Sequence, residues 1–172
     1  MSHEIHSFLR TYIKGGSLLD VGCGPKFYSN PLKNVCIKVV TVDAWDKVKP
    51  DYLIDLEKQD LSIFKDNEFD NVLMIDFIEH LEKDRGKFII KECQRICKNR
   101  ICLLTPLWWT SNEDNVNDPN LWCYGNEFDK HKSLWTLEDF SDWTRVELPT
   151  LKNYFFGYWQ NTKYKYNYNV YV

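Results

Sequence analysis

SLLDVGCGP, residues 17–25, decides the fold. It begins as a short apolar strand, carries the acid-x-Gly-x-Gly pattern of Asp20, Gly22 and Gly24, and stops at Pro25. A strand that breaks on closely spaced glycines takes backbone angles closed to other residues and lets a ligand approach the peptide groups. Open α/β sheets bind ligands outside the carboxyl ends of their strands, so this turn marks one edge of a site. A dinucleotide fingerprint would place its third glycine at position 27. Phe27 stands there instead and an acid precedes the turn, which favours a ligand without a pyrophosphate and makes a nicotinamide-dependent oxidoreductase the weakest reading.

The same strand pattern recurs along the chain. KVVTVD at 38–43, DYLIDL at 51–56, DNVLMID at 70–76 and RICLLTP at 100–106 are predicted strands, apolar enough for a buried parallel sheet. Ile5, Phe8, Leu9, Tyr12 and Ile13 repeat at helical spacing and predict a leading helix that stops at Gly15-Gly16. Leu81, Phe88, Ile89 and Ile96 predict another over about 79–98, on which Cys93 and Cys97 would lie four apart. Strands alternating with helices imply βαβ units and an α/β class, within a single domain over 1–172. After Pro106 the period is lost. Residues 107–135, rich in Trp, Asn and Asp, are expected to form an acceptor loop or lid. TLEDFSDW at 136–143 predicts a short helix capped by Thr136, and RVELPTL and NYFFGYWQ are left to close the sheet.

Composition narrows the classes. With 44% hydrophobic and 16% aromatic residues the chain is not disordered, and it holds no apolar run of the roughly 20 residues that a membrane span requires. The N-terminus has no apolar stretch resembling a signal peptide, and six cysteines without a Cys-x-x-Cys pair fit a reducing cytoplasm. The net charge of -3, with basic residues scattered, gives no footprint for a long polyanion.

Acids follow the predicted strands in order. Asp43 ends the second strand where a carboxylate can accept from both hydroxyls of a ribose. Asp55 ends the third, where it can accept from an adenine amino group while Leu56 covers the ring. With DVGCGP, VVTVD, DYLIDLE, FDNVLMIDFIEHLEKDRG and ICLLTP, the chain resembles the class I methyltransferases over residues 17–106. That resemblance implies a Rossmann-like three-layer sandwich, its seven-stranded sheet mostly parallel with an antiparallel last strand. It implies S-adenosylmethionine as cofactor. Asp20, Gly22 and Gly24 would hold the methionine part, Asp43 the ribose, Asp55 and Leu56 the adenine, and Asp76 would sit beside the cofactor at the end of the fourth strand.

Asp76, Glu79 and His80 are spaced i, i+3 and i+4, which on a helix places them on one face. Methyl transfer from a sulfonium needs an in-line nucleophile with a free lone pair, and His80 can serve as its general base. Joined by His131, the group offers two carboxylates and two imidazoles, a set suited to a divalent metal such as Mg or Mn that would hold an acceptor hydroxyl and lower its pKa. The set resembles the Glu-x-x-Glu-His and later His of Hen-type small-RNA 2′-O-methyltransferases and of ubiquinone-pathway O-methyltransferases, with Asp76 in place of the first Glu. Three readings of His80 stand: metal ligand, metal-free base or positioning group, and packing residue. Trp108, Trp109, Trp122, Tyr124 and Trp135 either stack on an acceptor or pin the loop to the sheet. Tyr164, Tyr166 and Tyr168, with Lys163 and Lys165, are expected to form a frayed tail.

The expected activity is methyl transfer to an oxygen, in preference to a nitrogen, of a small molecule or glycan. Two alternatives remain. One is a metal-assisted 2′-O-methyltransferase acting on an RNA 3′ end, which the His131 segment favours and the missing basic surface opposes. The other is a non-catalytic partner subunit that binds the cofactor without turnover.

Overall fold

The computed structural model describes residues 2–13 and 15–163. Helix α1 (Ser2–Tyr12) is followed by strands β1 (Ser17–Val21), β2 (Lys38–Asp43), β3 (Tyr52–Leu53) and β4 (Phe69–Ile75). Helix α2 (Lys83–Ile96) leads into β5 (Cys97–Pro106), then a short helix α3 (Glu113–Asn117), β6 (Thr144–Arg145) and β7 (Tyr154–Gln160). Among the described residues these strands form one seven-stranded sheet in the order β3-β2-β1-β4-β5-β7-β6. β1 to β5 pair in parallel, while β7 runs antiparallel to both β5 and β6. The order reverses between β1 and β4, and at such a reversal the carboxyl ends of the strands open a crevice.

Alternation along the central strands builds two cores. Leu19, Val21, Val72 and Met74 point to one face, where Ile89, Ile90, Cys93 and Ile96 of α2 cover them. Leu18, Leu73 and Ile75 point to the other, under Ile5, Phe8 and Leu9 of α1 and the adjoining Ile13. Full burial of each such side chain stabilises the fold by about 2 kcal/mol, which ties both helices to the sheet. This is the three-layer α/β sandwich expected from the sequence.

Several local expectations need correction. The helix expected over 79–98 begins only at Lys83, because Asp76 adopts a left-handed φ of 49° and Leu81 is extended, leaving a 3-10 turn over Ile78–His80. It ends at Ile96, so Cys97 opens β5 and shares no helix with Cys93, though both are buried. The third strand keeps only Tyr52 and Leu53, which lie exposed at the sheet edge. Among the described residues no α-helix links β1 to β2. Only a 3-10 turn over Asn30–Leu32 forms there, in a stretch where Pro25 and Pro31 each remove an amide donor.

The expected short helix is a 3-10 turn, Leu137–Phe140, entered through Asp139, whose carboxylate accepts from Thr136 N at 2.9 Å and Thr136 Oγ1 at 3.2 Å. All six cysteines are buried and free. No described helix is long and apolar enough to cross a membrane. Tyr164, Lys165, Tyr166 and Tyr168 lie outside the described residues.

Candidate active site

The carboxyl ends of β1, β2, β4 and β5 open into a cavity of about 610 Å³, lined by the glycine turn, Asp43, Asp55, Leu56, Asp76 and the loop that follows β5. That volume suits a ligand of drug size. At Gly22, φ is 68° and a Cβ would sit 2.1 Å from the Phe77 ring, so only glycine fits. At Gly24 the ring of Trp122 lies 3.3 Å from where a Cβ would stand, which places a loop residue directly over the turn.

Asp43 ties this turn to β2. Its Oδ2 accepts from Gly24 N at 2.9 Å and its Oδ1 from Trp45 N at 2.8 Å, leaving further lone pairs toward the cavity. Asp20 is 3% exposed, and its Oδ2 has no hydrogen-bond partner among the described residues. Burial raises its pKa to about 6. An orphaned carboxylate oxygen of this kind calls for a donor from a ligand. Asp55 is more constrained: Oδ1 accepts from Glu57 N at 3.1 Å, and Oδ2 pairs with Lys58 at 2.9 Å. Leu56 is buried and lines the cavity, as a ring-covering residue should.

At the other end of the cavity, the kink after β4 brings Glu79 and His80 together without an α-helix. Glu79 is 1% exposed, accepts from Thr105 Oγ1 at 3.0 Å, and is held well above the usual carboxylate range by burial and by Asp76. Asp76 itself is pushed up to about 7 by burial and by Asp129. His80 is pulled down to about 3 by burial and by His131, so it is neutral at physiological pH, and its Nδ1 is buried without a partner among the described residues. The His80 and His131 rings meet edge to face, 4.8 Å apart. One ligand atom each from Glu79, His80 and His131 lie within 4.8 Å of one another. Asp76 adjoins this trio electrostatically but stands outside it.

The loop over 107–135 is docked on the site by its backbone. Lys132 N and Ser133 N donate to the Glu79 carbonyl at 2.8 and 3.1 Å, and His131 N donates to Ser111 O at 3.0 Å. Trp135 proves to be a packing residue, 1% exposed and wedged over Gly86 of α2. Trp108 and Trp122 line the cavity, whereas Trp109 and Tyr124 are exposed and do not. Lining residues missed by the sequence reading include Tyr28, Tyr154 and Asp129. Tyr154 packs edge to face on Trp108 at 4.8 Å. Asp129 lies two residues before His131, at the end of a 3-10 turn over Glu127–Asp129 that no periodicity in the sequence marked.

Residues 19–101 match the model of the family described as "Methyltransferase domain". Among curated proteins, none matches the chain. A SAM-dependent methyltransferase from Archaeoglobus fulgidus is 22% identical with a TM-score of 0.56, covering 80% of this chain and 64% of its own length. The chain thus spans less than two thirds of that protein. Magnesium protoporphyrin IX methyltransferase from Synechocystis PCC 6803, solved with bound SAH, is 12% identical with a TM-score of 0.62, covering 94% of this chain and 82% of its own. Burkholderia thailandensis 1,6-didemethyltoxoflavin-N1-methyltransferase is also 12% identical at 0.62, covering 94% and 78%. Residues 19–101, just under half of the chain, are thus similar to a methyltransferase domain, and the fold is shared with a protein described as dependent on S-adenosylmethionine. The cavity fits that cofactor: the orphaned Asp20 oxygen suits its ammonium, and Asp43 stands at the end of β2 where a ribose would lie.

Proposed function

We propose that the chain transfers the methyl group of S-adenosylmethionine to an oxygen of a small molecule or glycan, with a divalent cation, magnesium or manganese, at the acceptor end. The convergence of Glu79, His80 and His131 carries this reading. A carboxylate with two neutral imidazoles is a donor set for such an ion, and the ion when bound would lower the pKa of a coordinated hydroxyl.

The roles of the chain's own residues follow. Asp20 takes the cofactor's ammonium, and Gly22 and Gly24 let its methionine part lie against the backbone. Asp43 accepts from the ribose, while Asp55 and Leu56 frame the adenine. Asp76 lies between cofactor and acceptor, beside the Glu79, His80 and His131 trio that faces the cation. Burial keeps both histidines uncharged at neutral pH, so each has a lone pair for a cation or for the acceptor proton.

Electrostatics favour this over the RNA reading. The cavity is lined by seven carboxyl groups, of which burial favours the protonated form of Glu79 and raises Asp76 to about 7, against a single lysine, Lys132, which already faces Glu57 at 3.6 Å. A field of that sign repels a phosphodiester backbone. Two structural neighbours are named for small acceptors, magnesium protoporphyrin IX and 1,6-didemethyltoxoflavin, which is the scale proposed here.

The test is release of S-adenosylhomocysteine from S-adenosylmethionine by metal-stripped protein, over a panel of hydroxylated and aminated aromatics and sugars. Product should form on hydroxyl acceptors only after magnesium or manganese is restored, and His131→Ala should abolish it. Turnover indifferent to chelator would return His80 to the role of a metal-free base. Cofactor binding without turnover on any acceptor would favour the partner-subunit reading.

A further inference from the structure

Asp129 stands in the loop, apart from the motif that supplies Glu79 and His80, and outside the trio whose ligand atoms lie within 4.8 Å of one another, yet its carboxylate reaches the edge of that trio at His80. Its Oδ1 lies 3.9 Å from His80 Nε2. That is too long for a hydrogen bond, whose limit is roughly 3.2 Å. Two ligands of one ion, each about 2.1 Å from it, sit as much as about 4.2 Å apart. Its other oxygen is already engaged: Asn112 Nδ2 donates to Oδ2 at 2.8 Å and to the Asp129 carbonyl at 2.7 Å, which fixes the carboxylate with Oδ1 toward His80.

Asp129 closes a 3-10 turn over Glu127–Asp129, Lys130 after it is extended at φ -75° and ψ 135°, and Asp129 and His131 both line the cavity. Lys130 turns the other way and pairs with Glu127 at 2.7 Å. No lysine or arginine among the described residues pairs with Asp76, Glu79 or Asp129. Three carboxyl groups in one buried cluster cannot all ionise without repelling one another, and a divalent cation would offset that repulsion where no side chain does.

We infer that Asp129 is a fourth protein ligand of the cation proposed above, so that the ion fastens the loop of residues 107–135 across the active site. The inference rests on the cation reading, and its failure is separable from failure of that reading. The kink after β4 supplies Glu79 and His80, and the loop supplies Asp129 and His131. An ion bridging two segments in this way couples loop docking to cation binding, and the acceptor chamber is complete only when both are in place.

The experiment titrates manganese into the metal-stripped full chain and follows the free ion by electron paramagnetic resonance. The wild type should take up one ion per chain. Asp129→Ala should weaken uptake by on the order of tenfold or more. Glu127→Ala, which removes a neighbouring acid 72% exposed and outside the cluster, should leave uptake unchanged. Manganese should also slow tryptic cleavage after Lys130 and Lys132 in the wild type but not in Asp129→Ala, with circular dichroism confirming that the variant is folded. Asp129→Ala binding manganese as tightly as the wild type would overturn the assignment of Asp129 while leaving the cation in place. No uptake by the wild type would overturn both.

Discussion

The two halves of the cavity are built differently. The cofactor half comes from strand ends: Asp20 near the end of β1 with Gly22 and Gly24 after it, Asp43 at the end of β2, Asp55 and Leu56 just beyond β3. Each is placed by a sheet register that two packed cores enforce. The acceptor half is made where a strained kink after β4 meets a loop, and its members are separated by some 50 residues of chain, from Asp76 to Asp129 and His131. A register set by strands tolerates little change, so the cofactor half is the rigid one. A loop held by a handful of backbone hydrogen bonds can be altered without unfolding the sheet, which is where different acceptors are accommodated.

This contrast predicts a graded set of effects. Gly22→Ala forces a Cβ into Phe77 at a positive φ, and should cost about 3 kcal/mol of stability in thermal unfolding and remove S-adenosylhomocysteine binding altogether. Asp43→Ala loses two backbone partners together with the ribose contact, so affinity should fall on the order of 100-fold in calorimetry with the fold retained. If Asp43→Ala bound as well as wild type, the cofactor half would have been misplaced.

The third effect is one of pH. Asp20, raised to about 6, carries a proton below that value and then offers no charge to the cofactor's ammonium. Affinity for S-adenosylhomocysteine should therefore rise about tenfold from pH 5 to pH 7, and Asp20→Asn should flatten the profile. In the protein without cofactor the sign reverses. The folded state keeps the Asp20 proton that the unfolded chain sheds above 3.8, so this residue's contribution to stability is full below that pH and declines as pH climbs to about 6. The smallest effect belongs to Trp122, which joins the halves by lying over Gly24 and against Trp45, ring centroids 6.2 Å apart. Trp122→Ala should weaken cofactor binding only about fivefold. A loss as large as that of Asp43→Ala would mean that the loop, and not the strands, governs the cofactor.

The same division governs what was legible in the sequence. Apolar runs ending in acids placed β1, β2 and β4 and with them Asp20, Asp43 and the cavity, because buried parallel strands announce themselves in composition. The kink did not announce itself. Asp76, Glu79 and His80 have helical spacing, and nothing in the residue types marks the left-handed turn that delivers Glu79 and His80 from a 3-10 turn instead. Nor did periodicity separate Trp135, buried over α2, from Trp108 and Trp122, which line the cavity, since all three lie in a segment without a repeat. Asp129 was not legible either, because it closes a 3-10 turn, Glu127–Asp129, within the same segment.

The central claim is that the rigid half of this cavity binds S-adenosylmethionine. Calorimetric titration of S-adenosylhomocysteine into the metal-stripped wild type tests it most directly, with Asp43→Ala and His131→Ala alongside. One molecule bound per chain, lost or greatly weakened in Asp43→Ala and retained in His131→Ala, is the predicted result. A folded wild-type protein that binds no S-adenosylhomocysteine contradicts it.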